Sequence, residues 1–442
     1  MKILVLIFTT IILTLCILKD NVHAFKSDSL KTAIEKHYKV VEIYFPEGIK
    51  TKKFVFEREM KIKKGDSVSA EMIENDRKRI QNLGLFNRVE ILTEVKDEGI
   101  NLYIDVTERW YLIPYPILTR NDKDWNKLSY GLGLYQLNFR GRNETLGFML
   151  YLGYNKKASF SYNIPWLFPK WNLASAFELS TSEYQSQNLN ISKYKERRQG
   201  IGYLIGKRFG YFAFLNFTLG YRQLSTALPE ARLTLSPSGK DKWMIYQIHF
   251  KYDHRDLKEF PHRGVFFNLY WRKSGEKGNI INYSRYGGDF RTYIPLPYQT
   301  TFAIRSAIDL TRGQVPLYDH SYLGYSERIR GHFFEEYEAH NRFVGSLAFR
   351  FPIRKITYHS FFQNSPFAEY YRNFPFGISG GLFWDFGTVW FQNEKLSAKK
   401  LLSGIGVGIF FHLPYVDLAR LEYAFNENLR GEAILFDLGV AF

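Results

Sequence analysis

The sequence predicts an all-β transmembrane barrel of about sixteen antiparallel strands, preceded by one small α+β domain. Three observations carry that prediction. The C-terminal run Phe436-Asp437-Leu438-Gly439-Val440-Ala441-Phe442 alternates, with Phe436, Leu438, Val440 and Phe442 on one face and Asp437, Gly439 and Ala441 on the other. A period of two marks a strand with different solvents on its two sides, and an aromatic at its end suits a membrane interface. At the other end, residues 1–24 read as an export signal, with Lys2, an apolar run from Ile3 to Leu18, and Val22-His23-Ala24 as a small-residue cleavage site. No later segment approaches the roughly twenty apolar residues of a membrane-spanning helix, so a spanning chain of this kind must close into a barrel.

Composition agrees. Aromatic residues make up 18% of the chain, with 31 Tyr, 39 Phe and 33 Gly, yet mean hydropathy is only −0.28. A barrel produces that combination because every second residue of a strand faces a polar lumen. The net charge of +16 is spread over strands and turns without a compact cluster, which suits lumen lining and anionic lipid head groups better than nucleic acid. Cys16, the only cysteine, lies within the export signal after Leu15, a poor residue for lipoprotein processing. The mature chain therefore offers no disulfide and no thiol nucleophile.

After a linker at 25–37, residues 38–108 form the small domain. Val40 to Phe45 reads as a strand ended by Pro46-Glu47-Gly48. Thr51 is placed to cap a first helix carrying Phe54, Val55 and Met60. A Lys63-Lys64-Gly65-Asp66 turn follows, then a second helix capped by Ser69, with Ile73, Ile80 and Leu83 along one face and Gly84 as its left-handed end. Strands at 88–95 and 100–106 complete a βααββ order. Here the chain resembles a POTRA domain, the polypeptide-transport-associated module. The points of resemblance are Thr51-Lys52, Arg58-Glu59, Gly65-Asp66, Asp76-Arg77-Lys78-Arg79-Ile80, Leu83-Gly84-Leu85-Phe86 and Val106-Thr107-Glu108. The resemblance implies a module that takes up unfolded client segments along an exposed sheet edge. A rigid spacer or plug is the alternative.

The barrel occupies 109–442. Its expected strands are 110–119, 127–139, 144–154, 158–168, 172–182, 199–208, 211–223, 242–253, 264–272, 283–294, 300–311, 342–352, 377–390, 403–412, 416–425 and 432–442. Within them charge stays on one face. Ile405, Val407, Ile409 and Phe411 oppose Gly404, Gly406, Gly408 and Phe410, while Phe302, Ile304, Ile308 and Leu310 oppose Ala303, Arg305 and Asp309. A soluble sandwich has no need of so long a series of such strands. Pro114 and Pro116 both fall in the first strand and remove donors from the same edge, which makes them candidates for a weak seam with the last strand.

A long segment, 313–341, separates the eleventh and twelfth strands and contains Glu327-Arg328-Ile329-Arg330-Gly331-His332-Phe333-Phe334. The thirteenth strand carries Phe383-Trp384-Asp385-Phe386-Gly387, where alternation turns Leu382, Trp384 and Phe386 outward and Asp385 inward. A carboxylate inside a barrel requires a cation, and an arginine fork suits it best. At these residues the chain resembles the BamA/TamA type of outer-membrane assembly factor of the bacterial surface antigen superfamily, whose loop motif is Val-Arg-Gly followed by Phe or Tyr and whose strand motif is Phe-x-Asp-x-Gly. His332 departs from the aromatic. The resemblance extends to Asp253-His254-Arg255-Asp256, Pro261-His262-Arg263-Gly264, Phe349-Arg350-Phe351-Pro352 and the last strands. It implies that Arg330 and Gly331 of the loop meet Asp385 and Gly387 of the strand and pin the loop across the pore.

No catalytic or metal-ligating constellation is evident. The histidines lack ligand spacing, Gly200 to Gly206 lacks a phosphate-binding lysine, Asp253 and Asp256 suit a turn, and Glu335, Glu336 and Glu338 read as a solvated or calcium-tolerant loop face. The reading is thus non-enzymatic, without cofactor. The resemblance implies an outer-membrane protein, its POTRA domain periplasmic, that inserts other barrels or moves polypeptides. Partners would be unfolded outer-membrane or secreted polypeptides and membrane lipids, with accessory periplasmic lipoproteins as further candidates. A polar-lined channel or surface receptor is the alternative.

Overall fold

The N-terminal domain consists of β1 (Tyr38–Tyr44), α1 (Lys53–Glu59), β2 (Ser67–Val68), α2 (Ala70–Gln81), β3 (Phe86–Lys96) and β4 (Gly99–Glu108). The computed structural model describes residues 38–96, 99–121, 124–189, 191, 194–226, 233–362, 364, 368–431 and 435–438. The expected export signal and linker lie outside them. Strand order is β2-β1-β4-β3, with β1 parallel to β4. Both helices cover one sheet face, burying Phe56 and Ile80 against Leu102, Val89 and Val40. Each such side chain contributes about 1.5–3 kcal/mol when fully buried.

Two local expectations are corrected. The order βααββ omitted β2, a two-residue strand formed when the Gly65 turn (φ +92°) folds Ser67 and Val68 back onto Lys39 and Tyr38. It is too short to show a period. Thr51 does not cap α1. The N-cap is Lys52, without a side-chain cap, and the Thr51 hydroxyl is buried in a hydrogen-bond network with Glu108. Ser69 does cap α2, accepting from the Met72 amide at 3.3 Å.

Among the described residues the second sheet has sixteen strands, each antiparallel to its neighbours. The first eight are β5 (Leu112–Arg120), β6 (Leu128–Phe139), β7 (Glu144–Gly153), β8 (Lys156–Phe168), β9 (Leu173–Gln185), β10 (Lys195–Phe209), β11 (Ala213–Thr226) and β12 (Lys240–Asp253). Then come β13 (Gly264–Gly275), β14 (Asn282–Leu296), β15 (Thr300–Gln314), β18 (Asn341–His359), β19 (Phe374–Trp390), β20 (Leu402–Leu413), β21 (Val416–Asn426) and β22 (Leu435–Leu438). The sheet winds into a barrel, so that the Trp110 amide, just before β5, reaches the Tyr415 hydroxyl between β20 and β21 at 3.4 Å. Large apolar side chains such as Leu132, Leu150, Phe217, Ile405 and Val407 are exposed on the outer face. Arg305, Ser346, Asp385 and Glu422 are buried on the inner one. That division is the pattern of a lipid-facing band around a polar lumen.

Two features escape the period-two reading. A short hairpin, β16 (Ser321–Leu323) with β17 (Tyr337–Ala339), folds within the long loop. Strand β18 does not stop near Pro352. Register shifts after Pro352 and Arg354 absorb the missing donor, and the strand continues to His359.

Candidate functional site

Alternation along β19 turns Phe383, Asp385 and Gly387 into the lumen, and along β21 it turns Glu422 inward. Between them, β20 presents Gly404, Gly406 and Gly408. This glycine row creates a trench. A Cβ on Gly404 would run into the Arg330 carbonyl, and one on Gly406 into the Phe383 ring. Arg330 descends from the β15–β18 loop into that trench.

Arg330 makes a two-point bond to Asp385, Nε to Oδ2 at 2.6 Å and Nη2 to Oδ1 at 2.7 Å. Its Nη1 donates to Glu422 Oε1 at 2.5 Å. The guanidinium lies 3.5 Å above the Phe383 ring centroid, and the Ser346 hydroxyl also donates to Asp385. Arg420, 3.4 Å from Glu422, supplies the second cation, so two arginines face two carboxylates. Burial by itself would lower the affinity of Arg330 for its proton, but Asp385 and Glu422 outweigh burial and hold the proton more tightly than usual. The glycines of the two motifs have steric roles. Gly331 has φ +101°, with Phe425 O 2.7 Å from where a Cβ would stand. At Gly387 a Cβ would come within 2.8 Å of Ile329 Cδ1.

Alternation placed Asp385 in the lumen but did not identify Glu422, although its parity against Leu421 and Tyr423 marks it as an inward charge. Nor did it identify Glu327, which pairs with Arg305 at 2.8 Å, or Asp319, which pairs with Arg272 at 2.9 Å. Tyr318 adds a 2.7 Å bond to Asp241. The loop is thus tied to opposite sides of the wall. The solvated reading of Glu338 is wrong. It is buried and accepts from Asn188 Nδ2 at 2.6 Å and the Leu189 amide at 2.7 Å, with His320 Nδ1 also 2.6 Å away. Its location depends on a distant loop that folds over it.

The opposite mouth is closed by the N-terminal domain and the β12–β13 turn. Lys52 N donates to Gly141 O at 2.9 Å, Tyr211 Oη to Met60 O at 3.0 Å, and Asn82 Nδ2 to Asp256 O at 2.9 Å. Arg58 is sandwiched between Phe54 and Trp166, and burial pushes its guanidinium down to about 10. From the same turn Phe260 enters the lumen, packing on Phe410 and Leu418 with Arg350 5.0 Å from its ring centroid. Glu108 is the hub between domain and barrel. It accepts from the Thr51 amide at 2.8 Å, the Thr51 hydroxyl at 2.6 Å and the Tyr111 hydroxyl at 2.8 Å, while Asn138 donates to Thr51 Oγ1 at 2.8 Å. Glu108→Ala is expected to loosen this joint by about 2–4 kcal/mol, because several part-buried donors lose their acceptor. Faster hydrogen exchange at 50–52 and 109–112 would register it, and unchanged exchange would show that Glu108 does not hold the joint.

The remaining sequence-derived residues are at the two ends of the sheet. Pro114 and Pro116 lie within end strand β5, opposite Leu134 and Leu132 of β6. Phe436 and Leu438 lie in end strand β22, opposite Leu421 and Ala419 of β21. Gly439 and Phe442 lie outside the described residues.

Residues 138–442 match the Omp85 superfamily domain, and residues 38–109 match the surface antigen variable number repeat, POTRA. Among solved structures, BamA from Haemophilus ducreyi lacking POTRA domains 1–3 is 17% identical, with a TM-score of 0.55, over 90% of this chain and 84% of that one. CdiB from Escherichia coli is 10% identical, with a TM-score of 0.59, over 90% of this chain and 75% of that one. At such identities the likeness is one of fold. The match over the barrel, together with a POTRA domain docked at its mouth, establishes that this chain belongs to the Omp85 superfamily.

Proposed function

We propose that the protein resides in a bacterial outer membrane with its POTRA domain in the periplasm, and there assembles outer-membrane proteins or translocates polypeptides by non-covalent means. The observation that carries this reading, beside the family, is a lumen obstructed from both ends. The Arg330 loop is pinned from the outer side, and Phe260 with the POTRA domain closes the periplasmic side. An open polar channel would not be obstructed in this way. The buried carboxylates Asp385 and Glu422 are both engaged by Arg330, which supports a structural rather than a catalytic role for them. Clients would be unfolded polypeptides. The outer sheet face of the POTRA domain, with Tyr44 and Tyr103 stacked at 4.6 Å and Leu92 exposed beside them, is open to client segments or accessory lipoproteins.

The seam between β5 and β22 would be the client's entry point, since Pro114 and Pro116 withhold donors from one edge of β5. Paired cysteines at Ile113 or Tyr115 and along 435–440 are expected to crosslink and to abolish client assembly while the barrel stays folded. Full activity in the crosslinked form would exclude a lateral gate. Depletion of the protein, with outer-membrane protein levels compared against solute permeability, separates assembly from a pore. Loss of permeability alone would overturn the reading.

A further inference from the structure

We propose that His332, as an imidazolium, is a positioning residue that clasps the turn between β21 and β22 to the lumen loop and makes placement of the last strand depend on pH. The geometry requires the cation. His332 is buried, with Nδ1 2.9 Å from Glu335 Oε2 and Nε2 2.8 Å from Glu427 Oε2. A neutral imidazole has one donor nitrogen, and only the charged ring can donate to both carboxylates. Glu335 belongs to the lumen loop. Glu427 belongs to the turn that leads from β21 into β22, so the ring joins the residue following the Arg330-Gly331 pair to the hairpin of the last strand.

The surroundings leave this ring as the joint. The Ser403 carbonyl, 3.2 Å from Nε2, also faces it from β20 and carries no charge. The Tyr337 hydroxyl donates to Glu335. Lys399 and Lys400 line the neighbouring cavity with Glu427, but Lys400 turns to Glu394 at 3.1 Å. Arg330 is committed to Asp385 and Glu422, and Arg328 lies over Phe333. An aromatic side chain at this position could fill the space but could not bind two carboxylates.

The sign follows from the charges. Burial alone would lower the proton affinity of His332, but Glu335 and Glu427 raise it above its ordinary 6.5. The Tyr337 hydroxyl and His332 hold Glu335 below its usual range. For Glu427, burial works upward, but backbone and His332 hydrogen bonds hold it down. The clasp is therefore complete below the ordinary histidine value and is lost as pH rises through the raised one. It is lost again only where the carboxylates take up protons.

That the clasp bears on client entry rests on the seam reading above. The clasp itself is tested without a client. Hydrogen exchange of 427–431 is measured on the full-length protein in phospholipid vesicles from pH 5.5 to 9, corrected for intrinsic rates. Wild type is expected to lose protection about tenfold across the range, the scale of one charge-assisted hydrogen bond. His332→Phe and Glu427→Gln are expected to flatten the profile, while exchange at Arg330 stays slow. The midpoint at which the His332 ring resonances titrate in the same vesicles is expected above 6.5 in wild type and closer to it in Glu427→Gln. A flat wild-type profile, or a pH dependence that survives in His332→Phe, would overturn the clasp. Neither result depends on whether the protein assembles clients, so the functional reading stands or falls separately.

Discussion

Arg330→Ala is expected to release the lumen loop and to cost about 3–5 kcal/mol, because it leaves Asp385 and Glu422 buried without their main cation. Both carboxylates sit against the trench formed by Gly404, Gly406 and Gly408, where water has little access to replace the guanidinium. Asp385→Ala should cost less, since Glu422 still holds Arg330. Arg330→Lys should recover little, because a point charge cannot serve the two-point bond to Asp385 and the single bond to Glu422 together. Exchange of the loop amides between 321 and 339, and the temperature at which the folded barrel loses its compact electrophoretic form, measure these effects. A double-mutant cycle on Arg330 and Asp385 gives the coupling. Strict additivity would show that the contact contributes nothing, and the loop would then be held by Arg305–Glu327 and Asp319–Arg272.

Asp76→Ala is expected to unfold the POTRA domain while leaving the barrel intact. Asp76 is fully buried on α2, accepts from the Lys61 amide at 3.1 Å and the Ile62 amide at 2.9 Å, and pairs with Arg79. Removal deprives the buried Ile62 amide, the part-buried Lys61 amide and the Arg79 guanidinium of this acceptor, at roughly 3–5 kcal/mol. So small a domain has a total stability of the same order. Asp76→Asn keeps an acceptor oxygen and should fall between. Protease sensitivity and exchange across 38–108, measured in the full chain beside barrel electrophoresis, separate the two units. Equal protection in Asp76→Ala and wild type would show that α1 and the 60–62 segment are fixed by apolar packing alone.

The sequence by itself was enough for the strands and the facing of their side chains. Period two is a local property, and lipid on one side and a polar lumen on the other impose it on every strand, so sixteen strands and the inward turn of Asp385 could be read without neighbours. Helix α2 was legible through the Ser69 cap, but its C-terminal cap is Asn82 in a right-handed conformation, and the left-handed Gly84 (φ +69°) stands two residues beyond it. What only the tertiary structure decided involves residues far apart in the chain. Glu422 joins Arg330 because the sheet winds until β21 and the β15–β18 loop share one trench. Glu338 is buried because the β9–β10 loop folds over it, and Thr51 gives up capping because Glu108 and Asn138 converge on its hydroxyl. The glycines of β20 looked like small residues on an inner face, but Gly404 admits the backbone of the Arg330 loop and Gly406 makes room for the Phe383 ring. Parity along one strand says which way a side chain points. Which partner meets it depends on how the whole sheet closes.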